Sequence, residues 1–225
     1  MKFLLLIALF VTTFSDSFSQ RRFLLPAPKK MIEQSRVILF QQVGITEATN
    51  NNDGEVEKYW RLMGFTTPQP YCASGQYYCI YQACVQLGLS IKLISLKKTA
   101  LAYGQFQDAS VRGVKVPFLP QVDDLLYWKH VQKITGHVER ITAVKQAGWV
   151  ETIGMNTSSG NGGDQRDGGG VYRRKRNVSF PLGRMQVSGT IGWKYTDTVT
   201  STQSSHSEVQ KQLGSGSKYQ SSILF

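Results

Sequence analysis

Cysteine and histidine are scarce in this chain, with three of each among 225 residues. Cys72, Cys79 and Cys84 cannot all pair with one another, and two of them fall on one expected helix, so a disulfide-stapled scaffold is not expected. Only 7 residues are proline, 41% are hydrophobic and 18% charged, which excludes a collagen-like or wholly disordered chain. Acidic residues are short as well: 15 Asp and Glu stand against 26 Lys and Arg, a net charge of +11. That balance favours an anionic partner or surface, whether nucleic acid, anionic lipid or cell-wall polymer. No apolar run reaches the length a bilayer requires, so no stable membrane span is expected. One domain with a leader and a tail accounts for the length.

The N-terminus has the make-up of a secretory leader. Met1 and Lys2 precede an apolar stretch over residues 3–11 that fades through Thr12, Thr13 and Phe14. Ser17 and Ser19 put small residues at the two positions a signal peptidase reads, so cleavage is expected after Ser19. Removing residues 1–19 deletes Lys2 and Asp16 together and leaves the net charge at +11. No cysteine follows the apolar run to accept a lipid. The expectation is an exported protein, periplasmic or extracellular and monomeric, and export argues against intracellular nucleic acid as its partner.

Residues 20–30 are basic and broken by Pro26 and Pro28, and read as a linker. Ile32, Val37, Ile38, Phe40 and Val43 then recur with helical spacing up to Gly44. A loop through Asn50, Asn51, Asn52, Asp53 and Gly54 leads into a short helix over 55–63. Pro68 and Pro70 forbid a helix until Tyr71, after which Ala73, Tyr77, Ile80, Tyr81, Cys84 and Leu87 recur at steps of three and four until Gly88. A further helix is expected near 97–106. Strand-like runs follow at 125–128, 138–144, 149–155 and 171–176, most simply an antiparallel sheet. Residues 157–170 read as a flexible loop, and residues 181–225 as a polar, partly flexible extension. The fold class is therefore α+β, with the domain proper over residues 31–180.

A thiol becomes a useful nucleophile when its thiolate is stabilised, as the free N–H groups and dipole of a helix N-terminus do. Cys72 stands at such a helix start. Cys79 lies inside the helix and Cys84 on its apolar face, so both read as buried structural residues. A nucleophilic cysteine needs a base, and His130, His137 and His206 are the candidates. His206 falls in the polar tail and His130 in a polar stretch after a strand. His137 begins a strand. If 145–148 is a four-residue turn, Val144 faces Trp149 and His137 faces Asn156, near enough for the amide to orient the imidazole.

Tyr71-Cys72-Ala73, Gly136-His137-Val138 and the run from Thr152 through Gly154, Met155 and Asn156 to Thr157 resemble the three blocks of CHAP-type, NlpC-like bacterial cysteine amidases of the papain-like superfamily. The likeness covers residues 31–176 in the family's order. It includes the segment through Asn52 and Asp53 before the cysteine, Asp124 to Trp128 before the histidine, and Gly170 to Arg174 at the end. Three departures stand out. This chain has Ser74-Gly75 where such enzymes often carry a large apolar residue, Glu139 where they have a small one, and Gly154-Met155 where they tend to have an acid and a glycine.

The resemblance implies a nucleophile at Cys72, a base at His137, an orienting amide at Asn156 and peptidoglycan as substrate, with Asn52 and Asp53 as further candidate substrate contacts. Such chemistry requires no metal or organic cofactor. The alternative is a secreted wall-binding protein that keeps the fold without hydrolysis. The glycines of 160–170 lack phosphate-loop spacing. Adjacent Asp123 and Asp124 point to opposite strand faces and cannot flank one glycosidic bond. The Arg173 to Arg176 run reads as a solvated strand end.

Overall fold

The computed structural model describes residues 20–160 and 168–196. In chain order they form β1 (Arg21–Pro28), α1 (Lys29–Gln42), a 3₁₀ turn and α2 (Glu57–Arg61), α3 (Cys72–Gln86), α4 (Ala102–Arg112), β2 (Val114–Val116), β3 (Leu125–His130), β4 (Gly136–Val144), β5 (Trp149–Thr157), β6 (Gly170–Asn177) and β7 (Met185–Thr196). The strands make one seven-stranded sheet in the order β2-β1-β7-β3-β4-β5-β6. Its pairs are antiparallel except β1 with β7, which run parallel. The class is α+β, as the sequence pattern indicates. Among the described residues no helix is long and apolar enough to cross a membrane.

Three sequence expectations are corrected by the structure. Residues 21–28 are not a linker but a strand, paired with β7 along its whole length and with β2 only from Arg22 to Leu24. Pro26 and Pro28 lie beyond the β2 pairing and share one edge of the strand, where a missing N–H costs no ladder bond. The polar extension likewise does not begin at 181, because 185–196 is β7, a central strand between β1 and β3. Its Ser, Thr and Gly content hid the alternation of buried Met185, Val187, Gly189 and Ile191. The expected helix near 97–106 starts later, at Ala102, and runs to Arg112. The leader and the rest of the tail lie outside the described residues.

Helices α1, α3 and α4 cover one face of the sheet. The main core gathers Ile32 and Leu39 of α1, Ala73 and Ile80 of α3 and Phe106 of α4 against Tyr127, Val138, Ile153 and Ile191. Alternate residues of the same strands, Leu126, Trp128, Ile141 and Val150, form a second cluster on the opposite face with Val178, Leu182 and Met185. Buried Arg140 anchors α1 to the sheet, donating to Ile32 O and Ser35 Oγ at 2.8 Å each and to Asp123 Oδ1 at 2.9 Å. Asp124 receives Arg22 Nε at 2.8 Å. The adjacent aspartates are thus buried ion-pair partners.

Helix α3 approaches the sheet closely because its first turn is small. A Cβ on Gly75 would overlap Met155 Sδ of β5, so glycine is needed there for the helix to seat. The helix ends by an αL cap: Gly88 has φ 62°, its N–H donates to Val85 O, and Leu89 N–H donates to Cys84 O at 2.8 Å. With both ends fixed, the position of Cys72 over the start of β4 is fixed too.

Candidate active site

Cys72 is the first residue of α3, directly after Tyr71 in non-helical conformation. No side chain caps this helix start, so no capping group takes up the Cys72 N–H. Tyr71 is held from outside, its hydroxyl donating to Glu47 Oε1 at 3.0 Å. The thiol opens on a cleft of about 410 Å³ bordered by Phe65, Gln69, Pro70, residues 99–102, Thr135 and Gly136. That lining carries no charged side chain. The cleft suits a neutral, partly apolar group next to the sulfur.

His137 is fully buried, stacked at a tilt on Trp128 of the neighbouring strand with ring centroids 6.2 Å apart. The imidazole interacts with two groups, the Cys72 thiol and the Glu139 carboxylate. Its Nε2 lies 3.2 Å from Glu139 Oε1, while the buried Nδ1 makes no hydrogen bond. Burial alone pulls the imidazole pKa down. The neighbouring Cys72 thiol and the Glu139 carboxylate outweigh it and raise the pKa to about 9.

Glu139 is the residue that sequence reasoning did not single out. It follows His137 by two positions on one strand and so shares its face. The carboxylate is buried and receives Thr152 Oγ1 at 2.5 Å, Arg176 Nε at 2.9 Å and Arg176 Nη2 at 2.6 Å. Burial pushes its pKa up, but His137 and Arg176 dominate and hold it down at about 2. Arg176 is therefore not a solvated strand end. Of the basic run, Arg173 instead lies 4.9 Å over the Phe40 ring, and Lys175 5.3 Å over that of Trp149.

The turn between β4 and β5 differs from the expected one. Val144 pairs with Val150, not with Trp149, because the turn takes one more residue and passes through Ala147 and Gly148 at positive φ. A bulge between Ile141 and Ala143 then removes the offset, so that Glu139 faces Gly154. The β4–β5 pairing stops there. Asn156 lies beyond it, buried, with φ 55° at a bulge against β6, and its carbonyl accepts from Gly168 N–H at 3.3 Å. The partner of His137 Nε2 is the carboxylate of Glu139.

Asn52 and Asp53 belong to a loop whose polar groups serve one another. Asp53 accepts the Thr49 N–H at 2.9 Å and its hydroxyl at 2.6 Å, Asn52 N–H donates to Glu47 Oε2 at 2.9 Å, and Asn52 O receives Trp60 Nε1 at 2.8 Å. Neither residue borders the cleft at Cys72. Through Glu47, which also accepts the Tyr71 hydroxyl, Asn52 is tied to the residue just before Cys72.

Cys79 is fully buried and its thiol is pushed up to about 12. Cys84 donates to Ser90 O at 3.2 Å, and all three thiols are free. Among the described residues no group of three or more His, Cys, Asp or Glu side chains is gathered as a metal site. The arrangement is thus a thiol, an imidazole and a carboxylate in series at the edge of a neutral cleft. Comparison with protein-family models, with curated proteins and with solved structures finds no match to this chain.

Proposed function

We propose that this protein is an exported cysteine amidohydrolase, of papain-like, NlpC-like type, that cleaves an amide bond in peptidoglycan. The observation that carries this reading is the buried His137, its Nε2 bonded to Glu139 and its pKa raised by the neighbouring Cys72 thiol at the start of α3. A buried imidazole between a helix-start thiol and a clamped carboxylate fits the general base of a nucleophilic cysteine. A merely structural histidine needs neither a helix-start thiol nor a clamped carboxylate.

In the mechanism, Cys72 Sγ attacks the amide carbonyl carbon lying in the cleft. The Cys72 backbone N–H faces the developing oxyanion at the helix start. His137 Nδ1 delivers its proton to the nitrogen as the C–N bond breaks, releasing an amine and leaving a thioester on Cys72. Water, deprotonated by the same imidazole, then adds to the thioester and frees the acid and the thiol. Glu139 holds the ring with Nε2 toward itself and stabilises its charged form. Arg176 and Thr152 keep the carboxylate in place.

The choice of peptidoglycan rests on the motif resemblance, the leader and the +11 charge, which retains the enzyme on an anionic wall. A suspension of purified walls tests it. Turbidity falls with the native protein and not with Cys72→Ala, and equal traces for the two would favour a wall-binding protein without hydrolysis.

A further inference from the structure

A second, wider groove of about 730 Å³ is bordered by Arg21, Tyr103, Lys129, His130, Gln186 and Ser188. It differs in character from the cleft at Cys72. Its lining holds three basic side chains and no acid. Arg21 rests 5.6 Å over the Phe106 ring and Lys129 5.2 Å over that of Tyr103, contacts that orient the cations without neutralising them. Among the described residues neither is paired with a carboxylate. His130 Nδ1 accepts the Gln132 N–H at 3.3 Å, which leaves Nε2 as the ring nitrogen that can donate into the groove.

The groove adjoins the cleft along two elements. Tyr103 follows Ala102 on α4, and Ala102 borders the cleft. Lys129 of β3 pairs directly with Gly136 of β4, which borders the cleft as well. An extended ligand with a neutral segment beside Cys72 therefore runs on into a region built of donors.

We propose that this groove binds an oxyanion, a carboxylate or a phosphate, carried by the polymer whose amide lies at Cys72. The polymer's identity rests on the proposed activity; the oxyanion chemistry rests on the groove alone. A guanidinium and an ammonium on one wall suit a two-oxygen acceptor, and the aromatic rings beneath them lower the cost of fixing the cations before the ligand arrives.

Co-sedimentation of the Cys72→Ala protein with purified walls tests the assignment without hydrolysis. The walls are used native, with carboxyl groups amidated, and with phosphodiester polymer removed. Arg21→Gln/Lys129→Gln is compared with Lys30→Gln/Lys115→Gln, an equal loss of charge outside the groove. The groove pair should bind native walls about tenfold more weakly than the control pair, with the gap closing in high salt. Amidation should erase the gap if the ligand group is a carboxylate, and removal of phosphodiester if it is a phosphate. Equal affinities of the two double variants, a gap that survives both treatments, or no binding to any wall overturns the proposal. Wall cleavage by the native protein is scored separately, so a loss of the groove and a loss of the activity are told apart.

Discussion

Glu139 and Gly154 face each other across β4 and β5, and a Cβ on Gly154 would lie 2.9 Å from Glu139 Oε1. The glycine is what leaves room for the carboxylate beside His137. Gly154→Ala should therefore push Glu139 off the imidazole, costing about 1–3 kcal/mol as an overpacked site does. Activity should fall with it. In a Glu139→Ala background the same alanine should cost little in either measure, since the two residues act through one contact. Urea unfolding and wall-cleavage rates for the four proteins check this.

Glu139→Gln keeps the shape and removes the charge. The loss in kcat/KM is expected on the order of 10⁴-fold, as when a carboxylate that holds a catalytic histidine is replaced by its amide. Stability should drop by about 3–5 kcal/mol, because Arg176 then loses its buried partner. Asn156→Ala should cost less than tenfold on the same scale, since Nε2 is held by the Glu139 carboxylate. The reverse order of the two effects would return the orienting role to Asn156.

The pH dependence of stability follows from the two shifted groups. His137 is raised from 6.5 to about 9, so the stability it contributes is complete below pH 6.5 and is lost as pH rises toward 9. Glu139 is lowered from 4.5 to about 2, so its contribution is complete above pH 4.5 and is lost as pH falls toward 2. Between pH 4.5 and 6.5 both contributions are whole. Cys72→Ala removes one of the two partners that raise the imidazole, and its stability should change less between pH 6.5 and 9 than that of the native protein. Urea midpoints across this range are the measurement, and superimposable alkaline limbs would contradict the influence of Cys72 on His137.

Alkylation at neutral pH should modify one thiol. Cys72 borders the cleft, whereas Cys79 is sealed and pushed up to about 12, and the Cys84 thiol, also buried, is raised by burial. Peptide mapping after a short exposure to iodoacetamide should find the label on Cys72 alone. A label spread evenly over the three cysteines would mean that Cys72 is not activated.

Helices α1 to α3, strands β3 to β6 and the Cys72 and His137 positions were legible because helical and strand periodicities around them are strong. Pro70 ahead of Tyr71 set the helix start, and the run ending at Gly88 set its length. The role of Glu139 was legible in principle from its spacing, two residues after His137 on a strand. It was passed over as a departure from the amidases the chain resembles. In the structure the departures are coupled. Glu139 is matched by Gly154 across the ladder, and Gly75 by Met155 across the helix–sheet contact, so each small residue accommodates a larger partner. Such exchanges depend on contacts between distant positions, which a single sequence does not display. β1 and β7 were missed for a related reason. Their pairing joins the two ends of the domain, and neither carries a clean local signal.

The most direct test is mass spectrometry of peptidoglycan digested in ¹⁸O-labelled water by residues 20–225, beside the Cys72→Ala variant. Fragments should be released by the native protein alone, each cleavage leaving a new amine on one product and ¹⁸O in the carboxyl group of the other. Their masses identify which amide is cut. No release from walls of several chemotypes, or equal release by both proteins, would contradict the central claim that Cys72, His137 and Glu139 form a working hydrolytic site.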